Sequence, residues 1–205
     1  VDEEALKALH AGRAYHGWAH VEALLELWRH HRGALHDPEA VQLAILYHDA
    51  IYDPRRSDNE ANSAALLRAS EAGRVPPKRL DAAEAMVLAT AQHRVPFWLP
   101  DFVTSDIRHF LDMDLSILGA ASETFAAYDR AIREEYAHVP VPLYRRGRAA
   151  VLQRLLDRNP IFLTDTFRVA YEAAARDNLS AALAELAAAD GPETCPWTTT
   201  PTPAP

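Results

Sequence analysis

His48 and Asp49 stand side by side at the end of the apolar run 43–47. A histidine and an aspartate there must find partners, because unsatisfied polar groups are costly to bury. Imidazole and carboxylate together suit Mn, Fe, Zn or, less well, Mg. The same doublet can also be a buried pair that only hydrogen-bonds. Adjacent helical residues point about 100° apart, so both reach one ion only if it lies at the edge of the helix. His16 and His20 are four residues apart and share a face if a helix already runs there. Zinc proteases use that spacing in HExxH. Gly17 stands where their general-base glutamate would be, which removes that reading. Two metal ligands, or one ligand beside a substrate-facing neighbour, are left open. Asp112 and Asp114 flank Met113 in the otherwise apolar stretch 107–118. They lie about 200° apart on a helix, so one is expected as a ligand and the other as structural or exposed.

These residues need helices to hold them. Trp18, Val21, Leu24, Leu25 and Trp28 recur at helical spacing. Asp37-Pro38 reads as an N-cap with proline in the first turn, opening a helix that reaches His48. Asp53-Pro54-Arg55-Arg56 is a turn, and Ser57-x-x-Glu60 reads as a capping box for the next helix. Pro76-Pro77 opens another helix running towards His93, and 95–100 is a loop with two prolines. Further helices are expected over 105–118, ending near Gly119, and at about 122–138, 142–157 and 164–189, the last broken near Asn178. No segment alternates like a strand, and there is no internal repeat. The expected fold is an all-α single-domain bundle over 1–189. A Pro/Thr-rich tail follows over 190–205, too poor in apolar surface to order itself.

Bulk properties narrow the function. The formal charge is 21 − 29 = −8, which argues against polymeric nucleic acid and acidic membranes as partners. The single cysteine, Cys195, can form neither an internal disulfide nor a CxxC zinc site. This fits a cytoplasmic location, as do the charged N-terminus and the lack of an apolar run of about 20 residues. Five of the ten histidines, His10, His30, His31, His36 and His138, read as surface or helix-end residues.

The order His20, His48-Asp49 and a later aspartate resembles the HD superfamily, whose ligand set is H…HD…D. Four segments carry a closer resemblance, over roughly residues 13–180, to a bacterial subgroup of predicted metal-dependent HD phosphohydrolases. They are Tyr15-His16-Gly17-Trp18-Ala19-His20-Val21, Tyr47-His48-Asp49-Ala50-Ile51-Tyr52-Asp53, Asp58-Asn59-Glu60-x-x-Ser63 and Leu111-Asp112-Met113-Asp114-Leu115-Ser116-Ile117-Leu118-Gly119. The resemblance implies a helical bundle with a metal between helices and hydrolysis of a phosphate ester. His20, His48 and Asp49 match the first three ligands, and Asp114 is favoured over Asp112 as the fourth. The implied cofactor is a divalent ion, one of Mn, Fe, Zn, Mg or Co.

Other roles follow from that reaction. Asp49 would serve catalysis as well as the metal. Glu60 and Asp53 are candidate acid–base groups, Glu60 competing with its capping role. His93 is a candidate substrate contact or second-metal ligand, and His109 a weaker one. His16 and Asn59 are candidate substrate contacts, Asn59 also fitting helix initiation. Arginine forks bind two phosphate oxygens at once, which nominates Arg55 and Arg148 ahead of Arg56, Arg145 and Arg146. Each also reads as a solvated charge. Tyr15, Trp18, Tyr47 and Tyr52 suit either core or pocket lining. The expected partner is a phosphorylated small molecule, in first place a nucleotide, held by side chains because no GxxxxGK[ST] loop is present. A homo-oligomer is left open. Two rival readings are a di-iron HD-type oxygenase using His93 and His109, and a non-catalytic metal- and nucleotide-binding helical module.

Overall fold

The computed structural model describes residues 2–188, and the expected tail at 190–205 lies outside them. Among the described residues the chain is all helical. Its order is α1 (Glu3–Leu9), α2 (Trp18–His31), α3 (Pro38–Tyr47), α4 (Asn59–Glu71), α5 (Pro77–Ala89), α6 (Asp101–Leu115), α7 (Ser122–Glu135), α8 (Val141–Leu156) and α9 (Asp165–Ala188), with 3-10 turns at Arg32–Ala34 and Ser116–Gly119. None of these helices is long and apolar enough to cross a membrane.

Helix α3 is the centre of the bundle. Asp37 caps it by accepting the Ala40 N–H at 3.0 Å, with Pro38 in the first turn. Ala40, Val41, Leu43, Ala44, Ile45, Leu46 and Tyr47 are all buried, and a helix apolar on every side belongs inside a protein. α2, α4, α5 and α6 pack around it. Tyr47 is core, its hydroxyl donating to Glu71 at 2.7 Å, and Trp18 is half-buried against the same core. Cutting Ile45 or Leu67, both fully buried, back to alanine would cost about 2–5 kcal/mol.

A second packing unit forms where α9 lies on α8 and on the turn Ser116–Gly119. Gly119 permits it, since a Cβ there would sit 2.6 Å from the Tyr171 carbonyl oxygen. Asn178 holds the turn from α9, donating to the carbonyls of Leu118 and Ala120 at 2.8 and 2.9 Å. Here the expectation of a break is corrected. Asn178 faces orphan carbonyls instead of its own backbone, and α9 runs through it without interruption.

The capping box is also corrected. The N-cap of α4 is Asp58, with no side-chain cap bond. Its carboxylate is taken by Arg56 at 2.8 and 2.7 Å, and Ser57 is exposed. α5 stops at Ala89, short of His93, and α6 begins at Asp101, four residues earlier than its pattern suggests.

Candidate metal centre

Three helix ends converge on one point. His20 sits near the start of α2, His48 directly follows α3, and Asp114 lies in the last turn of α6. The backbone N–H of His48 still bonds to Ala44 at 2.9 Å, so the helix geometry aims its ring. Its Nδ1 lies 2.9 Å from the Ile45 carbonyl. A carbonyl only accepts, so Nδ1 carries a proton, and Nε2 is the nitrogen turned towards the site.

His48 Nε2 lies 3.2 Å from His20 Nε2 and 3.0 Å from Asp49 Oδ2. His20 Nε2 lies 3.2 Å from Asp114 Oδ1 and 3.9 Å from Asp49 Oδ2. Ligands bound about 2.1 Å from a shared ion stand about 3–4 Å from one another, and these spacings match. His20, His48 and Asp114 form a group that could hold a metal ion, their donor atoms all within 4.8 Å. Asp49 stands within reach of both imidazoles. Imidazole nitrogens beside carboxylates are donors that suit a divalent ion.

The electrostatics agree. Burial opposes protonation of His48, but Asp49 and Asp114 overcome it and lift the imidazole to about 9. Burial pushes Asp49 up, and His48, His16 and His20 outweigh it to hold the carboxyl well below the usual range. Asp114 is held down in the same way by hydrogen bonds from His20 and His93 against its burial. Both carboxyls are thus held in the charged form by the imidazoles around them.

Asp112 and Asp114 face different partners, Asp112 fully buried and Asp114 partly so. Asp112 accepts from the Leu163 and Thr164 N–H groups at 2.7 and 2.8 Å and from the Thr164 hydroxyl at 2.7 Å. It anchors the entry to α9. Burial raises its pKa.

A cavity of about 710 Å³ opens beside the cluster, lined in part by Asp49, Asp114, His16, Glu60 and His93. His93 Nε2 meets Asp114 Oδ2 at 3.0 Å. Its φ of +47° is the left-handed conformation that a histidine adopts more readily than most residues. His16 precedes α2 and does not share a helix face with His20. Its ring stacks on Tyr52 at 4.1 Å, and its Nδ1 lies 2.6 Å from Glu135 Oε2. Tyr15 and Tyr52 line the cavity as well.

Several expected site residues lie elsewhere. Asp53 accepts the Arg55 N–H at 2.9 Å in its own turn. Arg55 is two-thirds exposed and turned to solvent, outside the cavity lining. Asn59 bonds both backbone groups of Asp53, at 3.1 and 2.9 Å, so its amide is spent on the turn. Arg148 is buried on Asp129, its Nε 2.8 Å from Oδ1, and lies over Tyr128. Arg56 is held by Asp58, and neither Arg145 nor Arg146 lines the cavity. His109 Nδ1 faces the Ser105 carbonyl at 3.0 Å, away from the cluster, which leaves the di-iron reading without that ligand.

Other residues at the site carry no local signal in the sequence. Glu135 also accepts the Tyr15 and His16 N–H groups, at 2.8 and 2.9 Å. Burial pushes its carboxyl up, but His16 outweighs this and draws it down to about 2. Arg13 ties the segment before α2 to the metal doublet, donating to the carbonyls of Asp49 and Ala50. Arg94, Arg154 and Arg158 line the cavity.

Comparison of this chain with protein-family models, with curated proteins and with solved structures finds no match.

Proposed function

We propose that this chain is an HD-type metal-dependent phosphohydrolase acting on a phosphorylated small molecule, with a nucleotide as the favoured class. The observation that carries the reading is the convergence of His20, His48 and Asp114, whose donor atoms lie within 4.8 Å of one another, with Asp49 at 3.0 and 3.9 Å from the two imidazoles, beside a cavity large enough for a substrate. The fold assigned with it is the HD-type bundle, and the compartment the cytoplasm.

His20, His48, Asp49 and Asp114 would hold the ion. A divalent ion there lowers the pKa of a bound water and polarises a phosphoryl oxygen. His93 keeps Asp114 oriented through Oδ2. Glu135 holds His16 by Nδ1, which leaves Nε2 as the nitrogen that can exchange a proton with substrate. Glu60 is a further carboxylate of the cavity able to take a proton.

Elemental analysis of the wild type and Asp49→Ala, with a phosphatase screen on the same samples, tests the reading. One ion per chain, lost in the variant together with phosphate release, is the expected result. No bound ion and no release under any added divalent cation would transfer the assignment to a non-catalytic binding module.

A further inference from the structure

Arg94, Arg154 and Arg158 line the same cavity as the histidine–aspartate cluster. They come from separate segments. Arg94 follows α5 in a loop, Arg154 lies in the last turn of α8, and Arg158 stands just beyond that helix. The place of Arg158 is built by the framework. It donates to the Gln92 carbonyl at 3.1 Å, and its own carbonyl accepts from Arg176 at 2.7 Å. Burial lowers the Arg158 guanidinium, and the charges of Arg94 and Arg154 lower it further, so the three cations are close enough to repel.

Among the described residues none of the three forms an ion pair, with Asp49 and Asp114 or with any other acid. Asp157 also lines the cavity, but its Oδ1 accepts from Gln153 at 2.7 Å. Several arginines elsewhere are paired. Arg32, Arg56, Arg68, Arg79 and Arg168 each hold a carboxylate. The negative end of α8 gives Arg154 a reason to be there, but Arg94 is on no helix. In a chain of formal charge −8, three gathered cations that hold no carboxylate form a local anion trap.

We propose that the substrate carries a second anionic group, apart from the phosphate at the metal site, and that Arg94, Arg154 and Arg158 bind that group. The group is a phosphate or a carboxylate, the two chemistries a guanidinium fork accepts in pairs of hydrogen bonds. This rests on the phosphohydrolase reading for the position of the first phosphate. A cavity of about 710 Å³ has room for a molecule bearing both groups.

Titration calorimetry with phosphonates, which the protein cannot hydrolyse, tests this on the Mn-supplemented chain. The probes are methylphosphonate, a series of alkane bisphosphonates of increasing spacer, and phosphonoalkanoic acids of matching length. At least one two-headed probe is expected to bind about tenfold more tightly than methylphosphonate. Arg94→Ala/Arg154→Ala changes two exposed residues and is expected to remove that advantage while leaving methylphosphonate binding unchanged. Arg108→Ala/Arg146→Ala makes the same change in net charge at exposed positions outside the cavity and is expected to keep it. Preference between bisphosphonate and carboxylate probes identifies the distal group. Equal affinity for one-headed and two-headed probes, or equal loss in both double variants, overturns the proposal. Failure of the hydrolase reading shows separately, as absence of bound metal in the same samples. Arginine-dependent binding of the two-headed probe in that case still supports the anion subsite.

Discussion

Glu135 Oε2 lies 2.6 Å from His16 Nδ1, across 119 residues of sequence. The contact joins the end of α7 to the segment leading into α2, and the same carboxylate caps two backbone N–H groups there. Its carboxyl is drawn from an ordinary 4.5 down to about 2. A depressed carboxyl stabilises the fold fully above its unfolded pKa and loses that contribution as pH falls through the folded one. Glu135→Gln should therefore cost about 1–2 kcal/mol at neutral pH, after allowance for nearby water. The gap to wild type should close between about pH 4.5 and 2. Urea denaturation of both proteins across that range measures it. A gap that stays constant with pH would show that the carboxylate charge contributes nothing.

Asp112 and Asp114 should fail in different ways. Asp112 accepts three hydrogen bonds at the entry to α9 and takes no part in the metal cluster. Asp112→Asn turns one acceptor into a donor facing donors, which should cost about 1–3 kcal/mol and leave metal content unchanged. Asp114→Asn should abolish metal binding while the fold is kept. Thermal denaturation paired with elemental analysis separates the two. Metal loss in Asp112→Asn without destabilisation would reverse the assignment of the ligand.

How far such a division can be read from sequence depends on where each partner lies. The His48-Asp49 doublet follows a run so apolar that its polarity needs a reason, and that reason is local. Asp112 and Asp114 are distinguishable by angle alone, but which one joins the histidine cluster depends on α9, some 50 residues away. Arg148 has the fork that phosphate needs, but its partner Asp129 lies one helix back. Arg94, Arg154 and Arg158 gave the opposite error. Each is unremarkable alone, and only the folded chain brings them to one cavity. Ser57 and Glu60 had capping spacing, but Arg56 captured the residue between them.

His93 should act on metal affinity through Asp114. It touches Asp114 Oδ2 at 3.0 Å and stands outside the group of candidate ligands. Removing such a supporting partner typically weakens metal binding about 10–100-fold. The backbone there has φ of +47°, so the substitution must tolerate a left-handed conformation. His93→Asn does, and it isolates the side chain. Competition with a metal chelator should show the weakening with an unchanged melting temperature. Unchanged affinity would leave His93 as a lining residue only.

Gly119 should be intolerant of any side chain. An added Cβ would sit 2.6 Å from the Tyr171 carbonyl oxygen and 2.7 Å from its Cβ. Neither atom is the far end of a flexible chain, so α9 itself must move. That helix carries Phe167 and Asn178, both buried, and Asn178 is bonded to the turn that Gly119 ends. Gly119→Ala is therefore expected to destabilise by about 1–3 kcal/mol, the usual range for overpacking. Gly147→Ala is the matched control. Gly147 lies inside α8, and nothing stands within 4 Å of its Cβ position. Alanine there should stabilise by about 0.5–1 kcal/mol through helix propensity. Denaturant midpoints of the two variants should move in opposite directions. Equal shifts would mean that α9 does not press on the turn, and that the close approach at Gly119 does not hold in solution.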